Sequence, residues 1–208
     1  VNVPSLSLIA TRILEVTAGH PTRVGIDGFC ASGKTTLADA LALELRAAGR
    51  EVVRVCGDNF QNPPEVRWQL GRRSPEGFLR HSIDFPALRT LLLEPLGPNG
   101  SRNFRSSCYD VHASRVNLSV ERTARDTAVL LLDGLFLHAP PLEHCFDFTI
   151  FVDAEFETCL RRALGRKQER SDDLTELEAV YREKYIPGFE LYCREVGPRE
   201  RASGVVTT

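Results

Sequence analysis

The 208-residue sequence predicts an α/β fold built on a doubly wound, mainly parallel sheet. Three observations carry this. Short apolar segments alternate with segments of helical character, several of the apolar runs are nearly continuous and end in aspartate, and a glycine-rich turn joins the first of them to a helix. Continuous apolar runs suit strands covered on both faces, the condition of a parallel sheet lying between helical layers.

Taken in order, residues 5–17 predict an outer helix, with Ser5 as its cap and Ile9, Ile13 and Val16 at helical spacing. Residues 23–27 (RVGID) read as the first strand, 34–48 as a helix of strong helix formers stopped by Gly49, and 51–56 (EVVRVC) as the second strand. The unit 23–56 has the length a right-handed parallel crossover requires. Residues 59–80 carry Pro63, Pro64, Gly71, Pro75 and Gly77, which predicts a functional loop with no regular element. Asp84 or Ser82 should cap a helix running through Leu93, with Pro86 in its first turn. A turn at 97–100 followed by weak alternation predicts a β-hairpin at the sheet edge within 95–122. Buried strands follow at 128–132 (AVLLL) and 148–152 (FTIFV), helices at 155–167 and 175–184 with Pro187 breaking the second, and a short last strand at 205–207. A single domain over 1–208 is the expectation.

Charge bounds the partners. With 26 Lys plus Arg against 28 Asp plus Glu the formal net charge is −2, so there is no electrostatic case for a nucleic-acid partner. No apolar run approaches the roughly 20 residues that cross a bilayer, and the first residues lack the basic front and cleavage site of a signal peptide. A cytoplasmic protein without a membrane partner is expected. The six cysteines show no C-x-x-C pair and no zinc spacing, and read as scattered thiols. Cys30 would be an oxidation sensor only if its neighbours lowered its pKa.

Gly28-Phe29-Cys30-Ala31-Ser32-Gly33-Lys34-Thr35 fits G-x-x-x-x-G-K-[ST] between a predicted strand and a predicted helix, and Thr36 follows in the first helical turn. In such a phosphate-binding loop the backbone N–H groups curl around phosphate oxygens at a helix N-terminus, the lysine reaches the β- and γ-phosphates, and the Thr35 hydroxyl can ligate Mg²⁺. A nucleoside triphosphate, ATP with Mg²⁺, is implied, in a P-loop NTPase fold. Lys34 is one of only three lysines beside 23 arginines. The sequence has neither an N-K-x-D guanine reader nor an L-S-G-G-Q-like signature, which lowers the GTPase and ABC ATPase readings.

Asp58 follows the second strand and Asp133 ends the run 128–132. Carboxyl ends of adjacent strands face one crevice in an open α/β sheet, so both carboxylates can approach phosphates held at 28–35. Asp133 fits a Walker-B carboxylate for Mg²⁺, and Asp58 could accept a proton from an attacking hydroxyl while supporting the metal. Asp27, directly before the loop, is as well placed to brace the turn as to meet substrate.

On these residues the chain resembles the uridine kinase family, within the group that includes phosphoribulokinase and pantothenate kinase. IDGFCASGKTTLA resembles its phosphate loop, GDNFQ its D-x-F-Y segment, VLLLDGLFL its Walker-B strand and turn, and YIPGFELY its late helix. The resemblance implies a nucleoside kinase-like fold with a helical lid at 159–173 and acceptor-side insertions at 59–82 and 95–122. It makes Asp58 the base for a nucleoside 5′-hydroxyl and Thr35 and Asp133 the Mg²⁺ partners, beside the metal support already read for Asp58. Tyr109 and His112 would contact the nucleoside. Arg162, Arg166 and Arg170 would be lid arginines that neutralise the transferring phosphoryl group. Gln61 stands where the family has tyrosine, and Arg80 or His81 displaces an expected substrate-binding aspartate.

The expected activity is ATP-dependent transfer of the γ-phosphoryl group to a hydroxyl of a small acceptor, first of all the 5′-hydroxyl of uridine or cytidine. Two alternatives stay open: the same chemistry on pantothenate or a sugar phosphate, for which Arg67, Arg72, Arg73 and Arg80 supply basic residues, and a nucleotide-binding regulator without catalysis.

Overall fold

The computed structural model describes residues 5–110, 113, 115–168 and 173–208, with the side chains of 167 and 168 outside that description. At its centre five parallel strands run in the order β2-β7-β1-β8-β9. They are β1 (Thr22–Gly28), β2 (Val52–Cys56), β7 (Val129–Gly134), β8 (Phe148–Asp153) and β9 (Gly204–Thr207). The strand after the first crossover therefore lies two places from β1, and β7 inserts between them. Successive side chains of β7 go to opposite faces: Val129 and Leu131 join one core with Ile13, Ile26 and Leu41, and Leu130 and Leu132 join the other with Phe60, Leu92 and Phe136. Complete burial of β7 explains why its sequence is continuous in apolar residues.

Helix α1 (Leu6–Leu14) carries the Ser5 cap and packs on α2 (Lys34–Ala47), as its apolar spacing predicts. Helices α3 (Pro64–Arg67), α4 (Pro75–His81) and α5 (Phe85–Leu88) follow β2. The expectation of a loop without regular elements over 59–80 is corrected by α4. Ser74 accepts the Gly77 amide at 3.0 Å and Pro75 occupies the first turn, where its missing N–H costs nothing, so the punctuation there starts a helix. Asp84 caps α5 through the Ala87 amide, and a wide π turn carries the helix through Leu93.

The hairpin of 95–122 is not at the edge of the main sheet. It forms two separate antiparallel ladders, β3 (Asn103–Phe104) with β6 (Arg122–Thr123) and β4 (Tyr109–Asp110) with β5 (Arg115–Val116). Helix α6 (Phe156–Gln168) precedes α7 (Leu174–Val180) and α8 (Ile186–Val196), and α9 (Pro198–Arg201) leads into β9. Pro187 does not break the chain here. A π turn at Tyr181–Tyr185 joins α7 to α8, with the Ile186 amide bonding back to the Tyr181 carbonyl, and this widening accommodates a residue that has no N–H and would clash in a regular turn. Among the described residues no helix is long and apolar enough to cross a membrane.

Candidate active site

The C-terminal ends of β1, β7 and β2 converge. Asp133 stands in register with Ile26 on one side and Cys56 on the other, so the strand order delivers it between the glycine loop and Asp58. The loop itself needs its glycines. Gly28 has φ +149°, and a Cβ there would lie 2.6 Å from the Val152 carbonyl oxygen; Gly33, with φ +103°, starts α2 in the left-handed region.

Beneath the loop lies a buried brace. Asp27 is fully buried, accepts the Gly28 amide at 2.7 Å and the Tyr192 hydroxyl, and lies 2.9 Å from His138 Nδ1. The Tyr192 hydroxyl in turn accepts the His138 amide at 2.9 Å. Asp27 thus braces the turn, and its carboxylate is spoken for by three partners. Phe29 turns its ring into the core against Phe156 and Phe189, while its carbonyl accepts Lys34 Nζ at 2.6 Å.

Thr35 Oγ1 donates to Asp133 Oδ2 at 2.6 Å. The other carboxylate oxygen accepts Arg54 Nη1, and Arg54 also reaches Asp39 and the Val55 carbonyl. Sequence reasoning passed over Arg54, although a lone charge inside the run VVRVC was a usable signal. Asp58 sits in the single turn Gly57–Phe60, exposed, and accepts Gln61 Nε2 at 3.2 Å; Gln61 Oε1 in turn accepts Arg67 Nη1 at 3.0 Å.

Two cavities meet at this point. The smaller, about 330 Å³, is bordered by Lys34, Thr35, Asp58, Asp133, Gln61 and Tyr185. Cys30 and Ala31 also face it. The larger, about 680 Å³, runs along Ser32, Gly33 and Thr36 to Leu37, Arg162 and Thr208. Arg166 borders both. Arg162 Nη1 donates to the Ser32 carbonyl at 3.3 Å and to Thr208 Oγ1 at 3.0 Å, so α6 is tied to the loop.

On the acceptor side the expectations divide. Tyr109 is buried on β4, next to Cys108, whose amide bonds the Asn59 carbonyl at 3.0 Å. His81 presents its carbonyl to Asn62 Nδ2 at 3.1 Å. Arg80 pairs with Glu195 of α8 at 2.8 Å and with Glu76 of its own helix at 3.9 Å. His112 and Arg170 lie outside the described residues. Burial pushes the Cys30 thiol up to about 12, against the attraction of Lys34, the reverse of what an oxidation sensor needs. Among the described residues no cluster of three His, Cys, Asp or Glu could hold a metal unaided.

No family model matches the chain. Curated relatives do. Uridine-cytidine kinase B of Dictyostelium discoideum is 27% identical over 180 residues, spanning 83% of this chain and 70% of the relative. Uridine kinase of Escherichia coli (strain K12) is 27% identical over 175 residues, spanning 80% and 78%. The fold of a possible uridine kinase from Bacillus stearothermophilus superposes with TM-score 0.75 at 19% identity, covering 97% of this chain and 96% of the other. The chain is thus similar to uridine kinases in sequence, and it shares the fold of a possible one. A candidate fructose transport system kinase from Silicibacter sp. TM1040 superposes with TM-score 0.79 at 18% identity over 97% of this chain and 98% of that one, so the same fold is shared by kinases named for different acceptors.

Proposed function

We propose that this chain is an ATP-dependent phosphotransferase that moves the γ-phosphoryl group of ATP to a hydroxyl of a small acceptor. The observation that carries the reading is that Lys34, Thr35, Asp58 and Asp133 border one cavity, with the larger cleft alongside for the nucleotide. The names of the relatives support the reaction class, and uridine and cytidine are the first acceptors to test.

The residues present fit Mg²⁺. A threonine hydroxyl 2.6 Å from a carboxylate offers hard oxygen donors, and an ion held by one or two carboxylates completes its shell from substrate phosphates and water. Thr35 and Asp133 would hold it, with Asp58, which borders the same cavity, in support. When bound, it neutralises charge on the β- and γ-phosphates.

The loop amides of 28–35 cradle the phosphates, and Lys34 Nζ exchanges the Phe29 carbonyl for a phosphate oxygen. Asp58 accepts the proton of the acceptor hydroxyl as its oxygen bonds the γ-phosphorus and the bond to the ADP oxygen breaks. We take Arg162 and Arg166 as lid arginines, and Arg166, which borders both cavities, would offset charge on the group in flight. Water exclusion on closure keeps ATP from being hydrolysed.

Acceptor-dependent ADP release tests the assignment. Lys34→Ala and Asp58→Ala should each lower turnover by about a hundredfold or more. Unchanged turnover in either variant sinks it, and tight ATP binding with no acceptor turned over favours a regulator instead.

A further inference from the structure

Five buried side-chain polar atoms have no hydrogen-bond partner among the described residues, and three of them, Arg67 Nε, His81 Nδ1 and Tyr109 Oη, lie on the acceptor-side segments. Each of these residues adjoins the turn that carries Asp58. Arg67 bonds the side chain of Gln61, His81 bonds Asn62 through its carbonyl, and Tyr109 follows the residue bonded to Asn59. Buried polar groups are normally paired, and Arg67 bonds Gln61, which lines the cavity with Asp58, so these orphans mark a place just behind the cavity wall where a polar ligand can complete the set.

The charges narrow what that ligand is. The basic residues here are unevenly neutralised. Arg73 is paired with Glu176 and Glu183, and Arg80 with Glu195 and Glu76. Arg67 and Lys184 have no carboxylate within ion-pair distance among the described residues. Lys184 is only 9% exposed and neighbours Tyr185, whose ring lies 5.6 Å from its Nζ and which borders the cavity beside Gln61. Burial, reinforced by the guanidiniums of Arg67 and Arg73, pushes its ammonium below the ordinary lysine range. A buried cation without a counter-charge is costly, and a second cation beside it makes it costlier.

We propose that the acceptor carries an anionic group, a carboxylate or a phosphate, and that Arg67 and Lys184 bind it while the acceptor's hydroxyl faces Asp58. The inference rests on the kinase reading of the site and narrows its acceptor class away from a neutral nucleoside.

Matched acceptors test it: glycerate against glycerol, fructose 6-phosphate against fructose, and uridine as a neutral nucleoside, each followed by ADP release. The anionic member of at least one pair should be favoured by tenfold or more in kcat/KM, roughly one charge-assisted bond, and which pair responds separates carboxylate from phosphate. Lys184→Met should abolish the preference, leave the ATP dissociation constant unchanged, and hold or raise Tm because it removes a buried charge. Arg67→Gln should weaken the same preference. Neutral acceptors preferred or equal, an equal effect of Lys184→Met on both members of a pair, or weakened ATP binding in that variant overturns the proposal. Calorimetric titration of the same compounds into the ADP-saturated protein keeps the two readings apart. Lys184-dependent binding of an anionic compound with no phosphorylation of any refutes the kinase alone, whereas failure of every anionic compound to bind refutes the anion site.

Discussion

Arg54 Nη1 and Asp133 Oδ1 lie 2.5 Å apart, so a residue of β2 occupies the carboxylate oxygen that Thr35 leaves free. Asp133 is 2% exposed and Arg54 18%, while Asp39, the other carboxylate on Arg54, is 64% exposed. Removing one partner of a buried pair strands the other. Arg54→Leu should therefore cost about 3 kcal/mol in urea denaturation. Asp39→Asn, which breaks the exposed arm, should cost less than about 1 kcal/mol. Equal losses would show that Asp133 does not depend on Arg54.

Arg162 and Arg166 stand one helical turn apart on α6 but face different surroundings. Arg162 bonds the Ser32 carbonyl and Thr208 beside the larger cleft, whereas Arg166 borders both cavities. Arg162→Ala should raise the KM for ATP with a small change in kcat. Arg166→Ala should lower kcat by about ten- to a hundredfold, as loss of a group that acts mainly on the transition state does. Steady-state kinetics at saturating acceptor separates them, and identical behaviour of the two variants would contradict the division.

Tyr192→Phe removes one hydroxyl from the brace under the loop. Asp27 is fully buried and keeps the Gly28 amide and His138, so the expected loss is about 1–3 kcal/mol of stability, read by chemical denaturation. Because the same carboxylate positions Gly28, ATP affinity should fall in parallel. Lost stability with unaltered ATP affinity would mean that the brace supports the core alone.

Stability should decline in alkali. Burial pushes the thiols of Cys30, Cys56 and Cys193 up to about 12 and that of Cys108 up to about 11, from an ordinary 9.0. As pH rises past 9 the unfolded chain loses these protons first while the native state keeps them. Unfolding then releases protons, and each thiol removes up to about 1.4 kcal/mol per pH unit until its native value is reached. Tm should be steady near pH 8 and fall steeply by about pH 10.5. A flat profile over that interval would show that the thiols are not shielded as the packing requires, and Cys30→Ser should shallow the slope.

The glycine loop, the strands around it and Asp133 are legible in the sequence because each is a local pattern: a spaced motif, an apolar run, an aspartate at its end. What was not legible was either hidden by neighbouring prolines and glycines or set by partners distant along the chain. Pro187 reads as a breaker, and only the π turn before it shows how the helix continues. Ser74-Pro75-Glu76 is a readable helix start that the surrounding prolines and glycines obscured. Arg80 and Arg67 look alike in sequence, yet Arg80 meets Glu195, which is 115 residues away, while Arg67 meets Gln61. Which basic side chain is neutralised is settled by tertiary pairing, and that decides which can serve a ligand.

Thr208 has a consequence for anyone handling the protein. Its amide bonds the Asp153 carbonyl and its hydroxyl donates to the Ser32 carbonyl at 2.9 Å, at the border of the larger cleft. Any peptide joined after residue 208, an affinity tag included, leaves the molecule at the mouth of that cleft. A tag placed before residue 5 leaves from α1 instead, so comparing the two placements by nucleotide affinity shows how far the cleft tolerates an obstructed entrance.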